Sequence, residues 1–263
     1  LHREGPPHRR PTRPIRPAQD VPSPSSSDIV ITGEETWVDQ VIVLTSNLII
    51  EGGGSLTLIN TTLIMNCACE GEYHIVVKPG GELHITQGSN ITALDLDAPF
   101  TFLVRPGSVF EMRDSELHGC GYGGEHPGLV VMAEGAVLEG CLISHNFYGI
   151  SLVGGNATLK DCVITANYKG LYCEMGASLR LDGCSVTGNA WEGVDAWDST
   201  LILSGCEITD NGRGVHCVSS ALNITGCDIS LNHGDGVSLM ASQAYLASST
   251  LNNNTGWGLS CDL

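Results

Sequence analysis

The sequence predicts an all-β solenoid: a single-stranded right-handed parallel β-helix, three short strands per coil, coils of about 21–27 residues. Three observations carry this. Cysteines recur at 141, 162, 184, 206 and 227, at spacings of 21, 22, 22 and 21. Each has an apolar residue three before it (Leu138, Leu159, Leu181, Leu203, Ile224) and two after it (Ile143, Ile164, Val186, Ile208, Ile229). At the same period come an asparagine (Asn146, Asn167, Asn189, Asn211, Asn232, Asn254) and a Gly-apolar pair, from Gly149-Ile150 to Gly258-Leu259.

Within each repeat the apolar residues form i, i+2 pairs such as Ile150/Leu152, Ala157/Leu159 and Cys162/Ile164. Period two is the signal of a strand with one face inward, and three such pairs give three strands per coil. Gly, Asn, Asp and Ser between the pairs tolerate the tight and left-handed turns that bend the chain. Upstream the same triplets continue as Leu48/Ile50, Leu56/Leu58 and Thr61/Leu63, then as Ile75/Val77, Leu83/Ile85 and Ser89/Ile91. Phe102/Val104, Phe110/Met112 and Ser115/Leu117 make a further coil. The cysteine column thus runs on as Ser115, Ser89 and Thr61 above and Ser249 below, a small residue in a tight interior corner. Cys120 lacks the flanking pattern and is assigned to an inserted loop, 118–128. Free cysteine packs as a small hydrophobe, and parallel side-chain vectors make bridges along such a column poor.

Residues 28–263 therefore read as one solenoid domain, preceded by an arm, residues 1–27, rich in Pro and Arg. The arm carries Arg3, Arg9, Arg10, Arg13 and Arg16 and is about +3, against about −20 for the remainder of a chain whose net charge is −17. Its composition favours extended polyproline II and cannot build a core. Charge complementarity makes the acidic body of a neighbouring copy its expected partner, and an acidic body excludes a nucleic-acid partner. Aromatics are only 5% of the residues and no run approaches a membrane helix, so no membrane span is expected. The chain starts at Leu1 rather than Met and stops in mid-coil at Leu259 to Leu263 with the inward rhythm unfinished. From this we expect a processed or partial product whose open coil ends, Leu259 and Leu263 among them, stack head to tail on further copies. Sequons at Asn60, Asn90, Asn156, Asn223 and Asn253 point to an exported, glycosylated, cell-surface protein.

Two further groups of residues can carry chemistry. Cys67, Cys69, His118, Cys120 and His126 lie in loops that leave the same corner of the solenoid two coils apart. Such ligands suit Zn²⁺ or Cu(I). Their spacing fits no zinc module, a disulfide from Cys120 to Cys67 or Cys69 competes, and no metal or cofactor is expected. A row beside the asparagines (Tyr148, Tyr168, Trp191, Arg213, His233, Trp257) should project from the turns. It either shields those turns, contacts another subunit, or stacks on sugar rings.

On its Asn-x-x-Gly-apolar and Gly-Cys-x-Ile/Val elements, residues 28–263 resemble the right-handed parallel β-helix repeat proteins of the pectate-lyase-like superfamily. The likeness is greatest to surface or periplasmic members with NosD-type, carbohydrate-binding-like repeats. The resemblance implies the fold. It also implies that an enzymatic member would cleave, eliminate or epimerise an acidic polysaccharide with clustered Asp, or with Ca²⁺ and a nearby basic residue. Only fragments of such a cluster are present: Asp195 and Asp198 flank Trp197, His216 stands one coil after Asp195, and Asp235 follows His233-Gly234. We therefore expect no catalytic residues and a structural solenoid that self-assembles. The rival expectations are a polysaccharide-active enzyme using Asp195, Asp198 and Asp235, and a glycan-binding adhesin module.

Overall fold

A computed structural model describes residues 27–262. The arm, with Arg3, Arg9, Arg10, Arg13 and Arg16, and the terminal Leu263 lie outside the described residues. The described chain winds into coils whose strands stack in three parallel sheets. Sheet A has eleven strands, from Ile29–Ile31 to Leu259–Asp262; sheet B has ten, from Glu34–Val38 to Gln243–Ala247; sheet C has eight, from Val41–Leu44 to Glu207–Thr209. Every pairing joins a strand to its equivalent one coil away, without exception parallel, as a solenoid requires.

The inward pairs read from the sequence line a single core. Ile150/Leu152 pair with Leu171/Cys173 in sheet A, Leu159 with Leu181 in sheet B, and Ile143 with Ile164 in sheet C. All of these are buried. Wider upstream coils are filled by Phe100, Phe102 and Phe110, with Phe102 and Phe110 edge to face at 5.7 Å. The strand Glu34–Val38, polar and largely exposed, lacks the alternation that marked its neighbours, which is why the sequence did not reveal it.

Two interior columns fix the stacking. In one, each Asn donates from Nδ2 to Oδ1 of the next: Asn146 to Asn167 at 3.0 Å, Asn189 to Asn211 at 2.9 Å, Asn232 to Asn254 at 3.0 Å. The same Oδ1 also accepts the preceding asparagine's backbone N–H, and Nδ2 also donates to a carbonyl one coil back, as Asn167 does to Ile143 at 3.1 Å. A buried amide so fully engaged satisfies the backbone at a corner where no ladder runs. The glycine of the Gly-apolar pair gives this row its room: a Cβ on Gly149 would stand 2.5 Å from the Gly170 carbonyl oxygen and 3.2 Å from Asn167 Nδ2.

The second column holds Thr61, Ser89, Ser115 and the five cysteines, all buried. Its side chains accept the N–H one coil back, Thr61 N–H to Ser89 Oγ at 3.1 Å and Cys227 N–H to Ser249 Oγ at 3.1 Å. Among the described residues every cysteine is a free thiol. Hydrogen bonding to the preceding thiol, with burial adding to it, pushes Cys184 and Cys206 up to about 11, whereas the hydrogen bond with Cys162 lowers Cys141 at the head of the cysteines.

Cys120 lies between the strands Glu116–His118 and Gly128–Val131, in the segment read as an inserted loop, but its side chain faces the core. It is fully buried, its N–H donates to Asn146 Oδ1 at 2.9 Å, and so it fills the asparagine position of the coil above. Facing the core, it cannot join a surface metal site. Loops 66–72 and 118–128 do meet, with Gly71 against the Tyr122 ring, but the candidate ligands diverge. His126 lies on Tyr122, His118 binds Ser144 and Glu116, Cys67 is buried and Cys69 exposed. No group of three or more metal-ligating side chains forms among the described residues.

Candidate functional site

The outer face of sheet A carries the densest polar cluster. Its strands Tyr148–Val153, Lys169–Glu174, Glu192–Trp197 and Arg213–Val218 present alternate residues outward, and the register stacks Tyr172, Asp195 and His216 in adjacent coils. A rank nearer the asparagine corner holds Tyr148 beside Lys169, and Glu192 beside Arg213.

Asp195 is the hub. Its side chain is 3% exposed; Oδ1 accepts hydrogen bonds from His216 Nδ1 at 2.8 Å and Trp197 Nε1 at 3.1 Å, and Oδ2 pairs with Lys169 Nζ. Lys169 Nζ also lies 3.1 Å from Glu192 Oε2 and 5.6 and 5.5 Å from the ring centres of Tyr148 and Tyr172. Glu192 Oε2 is buried without a well-formed hydrogen bond, and Arg213 stands 3.7 Å from Oε1 of the same carboxylate. Tyr172 donates its hydroxyl to Glu174 at 3.0 Å.

These contacts set the charge states. Burial alone would raise Asp195, but the hydrogen bonds from His216 and Lys169 outweigh it and hold the carboxyl below its ordinary value. For Lys169 burial works downward, and Asp195 and Glu192 together overcome it and raise the ammonium. Burial pushes the Tyr148 phenol up against the opposing charge of Lys169; burial and the Glu174 hydrogen bond push Tyr172 up. The cluster thus sets Lys169 and Arg213 among the carboxylates of Asp195, Glu192 and Glu174, with two protonated phenols. Asp195 fixes the His216 ring by Nδ1, leaving Nε2 as the nitrogen for proton exchange.

Beside the cluster, Phe147, Tyr168 and Trp191 stack along the axis, with ring centres 4.7 and 5.8 Å apart. The row expected from the sequence is therefore two rows: Tyr168 and Trp191 stand in the turn, whereas Tyr148 and Arg213 lie on the sheet. Trp257 is exposed one coil below Asp235, whose Oδ1 accepts its N–H at 2.7 Å, and His233 pairs with Asp210 at 3.1 Å. The sequence signal for the division is a change in turn length. Asn167 to Gly170 has two residues between, Asn189 to Gly193 three, and the extra residue puts Trp191 in the turn and Glu192 on the strand. Phe147 and Lys169 were not read as site residues, because their roles depend on neighbours one coil away.

The three aspartates proposed for an enzyme are not brought into one cluster. Asp198 caps the strand in a left-handed turn, with φ 49°, and Asp235 lies two coils beyond Glu192 on the outer rank. The partners of Asp195 are instead Lys169, His216 and Trp197. Leu259 is exposed on the last described strand. Of the sequons, Asn60, Asn156, Asn223 and Asn253 are exposed, while Asn90 is half-buried with its Oδ1 enclosed. No helix among the described residues is long and apolar enough to cross a membrane.

Comparison with solved structures finds the same architecture. A variant of the periplasmic alginate epimerase AlgG superposes with a TM-score of 0.72 at 13% identity, over 84% of this chain and 60% of the epimerase. The A-module of the Azotobacter vinelandii mannuronan C-5 epimerase AlgE6 gives 0.51 at 15% identity, over 80% of this chain and 71% of the module. The chain thus spans about 60% of the length of AlgG, and at these identities the likeness is one of fold. No curated protein matches the sequence. Residues 46–202 match the family described as right-handed beta helix region, more than half of the chain and the coils between the first and the last ones, so the chain belongs to the right-handed β-helix family.

Proposed function

We propose that the chain is a polysaccharide-active β-helix that works on uronate-containing chains by proton transfer at the carbon next to the carboxylate. The observation that carries this is the Asp195–His216 pair beside Lys169 and two protonated tyrosines on the open face of sheet A. A glycosidase needs a carboxyl held protonated as acid. Asp195 is held ionised, so hydrolysis by that route is disfavoured. Imidazole and phenol remain. His216 Nε2 takes the proton from the sugar C5. A phenol of Tyr148 or Tyr172 returns one to the opposite face, inverting the centre, or gives one to the leaving glycosidic oxygen, breaking the chain. Alginate and mannuronan epimerases share the fold, and an extracytoplasmic setting fits the periplasmic relative.

The test is incubation of the protein with polymannuronate and polygalacturonate, read by nuclear magnetic resonance for C5 configuration and by ultraviolet absorbance for unsaturated ends. Turnover that falls at least about 100-fold in His216→Gln, as loss of a general base predicts, supports the reading. No change in either readout, or full activity in His216→Gln, overturns it.

A further inference from the structure

The aromatic stack ends abruptly. Phe147, Tyr168 and Trp191 occupy successive coils, and the next two positions along the axis are Gly212 and Gly234. Neither tolerates a side chain: a Cβ on Gly212 would come within 2.6 Å of the Ala190 carbonyl oxygen, and one on Gly234 within 2.8 Å of that of Gly212. With the stack interrupted, a concavity of about 400 Å³ opens between Trp191 and Asp235, floored by the two glycines and walled by Glu192 and Arg213. Trp191 is 53% exposed, a large apolar surface to leave in water. Glu192 brings a carboxylate already held by Lys169 at 3.1 Å, and Arg213 a guanidinium whose nearest carboxylate is 3.7 Å away.

We propose that this concavity is a subsite for one pyranose ring of an acidic polysaccharide, stacked on Trp191 and selected by Arg213. The ring takes the place in the stack that the glycines leave empty. Apolar C–H faces of a sugar suit an indole, and its hydroxyls suit the acceptors at the rim. Arg213 is the charged donor of the pocket, and a planar guanidinium recognises a carboxylate by two parallel hydrogen bonds. Trp191 and Arg213 thus set affinity and the choice of a uronate over a neutral sugar, one step along the chain from His216. This assignment rests on the polysaccharide reading above, and its test is separable from it because it reads binding rather than turnover.

The experiment titrates the full chain with a short oligomannuronate and a neutral manno-oligosaccharide of equal length, followed by calorimetry and tryptophan fluorescence. Trp191→Ala, Trp191→Phe and Arg213→Gln are compared with the parent, and thermal unfolding confirms that each is folded. Expected are quenching lost in Trp191→Phe, affinity at least tenfold weaker in Trp191→Ala, and loss of preference for the uronate in Arg213→Gln. His216→Gln should bind as the parent does. Binding by Trp191→Ala equal to the parent's, or an unchanged preference in Arg213→Gln, overturns the subsite and leaves the catalytic reading standing. Binding with these signatures but without turnover upholds the subsite and overturns the catalytic reading. Absence of binding by the parent to either oligosaccharide overturns the subsite.

Discussion

A single asparagine in this fold holds more hydrogen bonds than any one strand residue can. Asn189 donates from Nδ2 to Ile164, Thr187 and Asn211, and its Oδ1 receives both the N–H and the amide of Asn167. Replacing it with leucine orphans several buried groups, at about 1–3 kcal/mol each. We expect Asn189→Leu to lose at least about 3 kcal/mol in urea unfolding, a loss on that scale being what two such orphans cost. Cys184→Ser should lie within about 1 kcal/mol of the parent, because serine already serves the same corner at Ser89 and Ser115. Leu231 holds a left-handed backbone, φ 60°, with its side chain exposed, a conformation that costs a branched residue about 1–2 kcal/mol. Leu231→Gly should therefore gain up to about 1 kcal/mol, after the entropy glycine loses on folding. A melt showing no gain would mean that the turn is relaxed by other means.

At the scale of the strand, the fold was legible and the site only in part. Inward pairs, the cysteine and asparagine columns and the strand triplets depend on sequence-local rules of period and turn, and the structure has them where the pattern put them. Asp195 was singled out too, with His216 noted one coil on. Its true partners escaped because they are spread over 48 residues of sequence, from Lys169 to His216, and meet only through sheet register. Lys169 proves to be the counter-ion of two buried carboxylates. Removing it as Lys169→Met takes the buried ammonium from Asp195 and Glu192 and leaves only His216, Trp197 and Arg213 beside them, and breaking a buried pair typically costs about 3–5 kcal/mol. The pH dependence has a defined sign. Asp195 is held below its ordinary 3.8, so its contribution is present above that value and is lost as pH falls through the lower folded pKa. Lys169 is held above 10.5, so its contribution is present below that value and is lost as pH climbs through the higher folded pKa. Chemical denaturation across pH should show both limbs in the parent, and a diminished alkaline limb in Lys169→Met.

For the whole molecule, coils interact only with their neighbours, so stability is a sum of coil and interface terms rather than one global quantity. Asn189→Leu should accordingly speed amide hydrogen exchange in the coils around 167–211 and leave the upstream coils packed on Phe102 and Phe110 close to their parental rates. Uniform acceleration along the chain would show that the solenoid opens as one unit. End-to-end assembly is tested by sedimentation velocity over a range of concentrations. A mass that rises with concentration supports it, and a fixed monomer mass removes it.

The asparagine row has a direction. Each amide gives to the next coil and takes from the one before, so every coil inside the row presents the same donors downward and the same acceptors upward. Any such coil therefore fits between any two others, and the number of coils is a free variable on which the bonding places no limit. The ion cluster has no such freedom, since Lys169, Asp195 and His216 must occupy consecutive coils in one order. A solenoid of this kind separates two jobs: a ruler whose length can change by whole turns, and a fixed stretch of three turns to which the chemistry is confined.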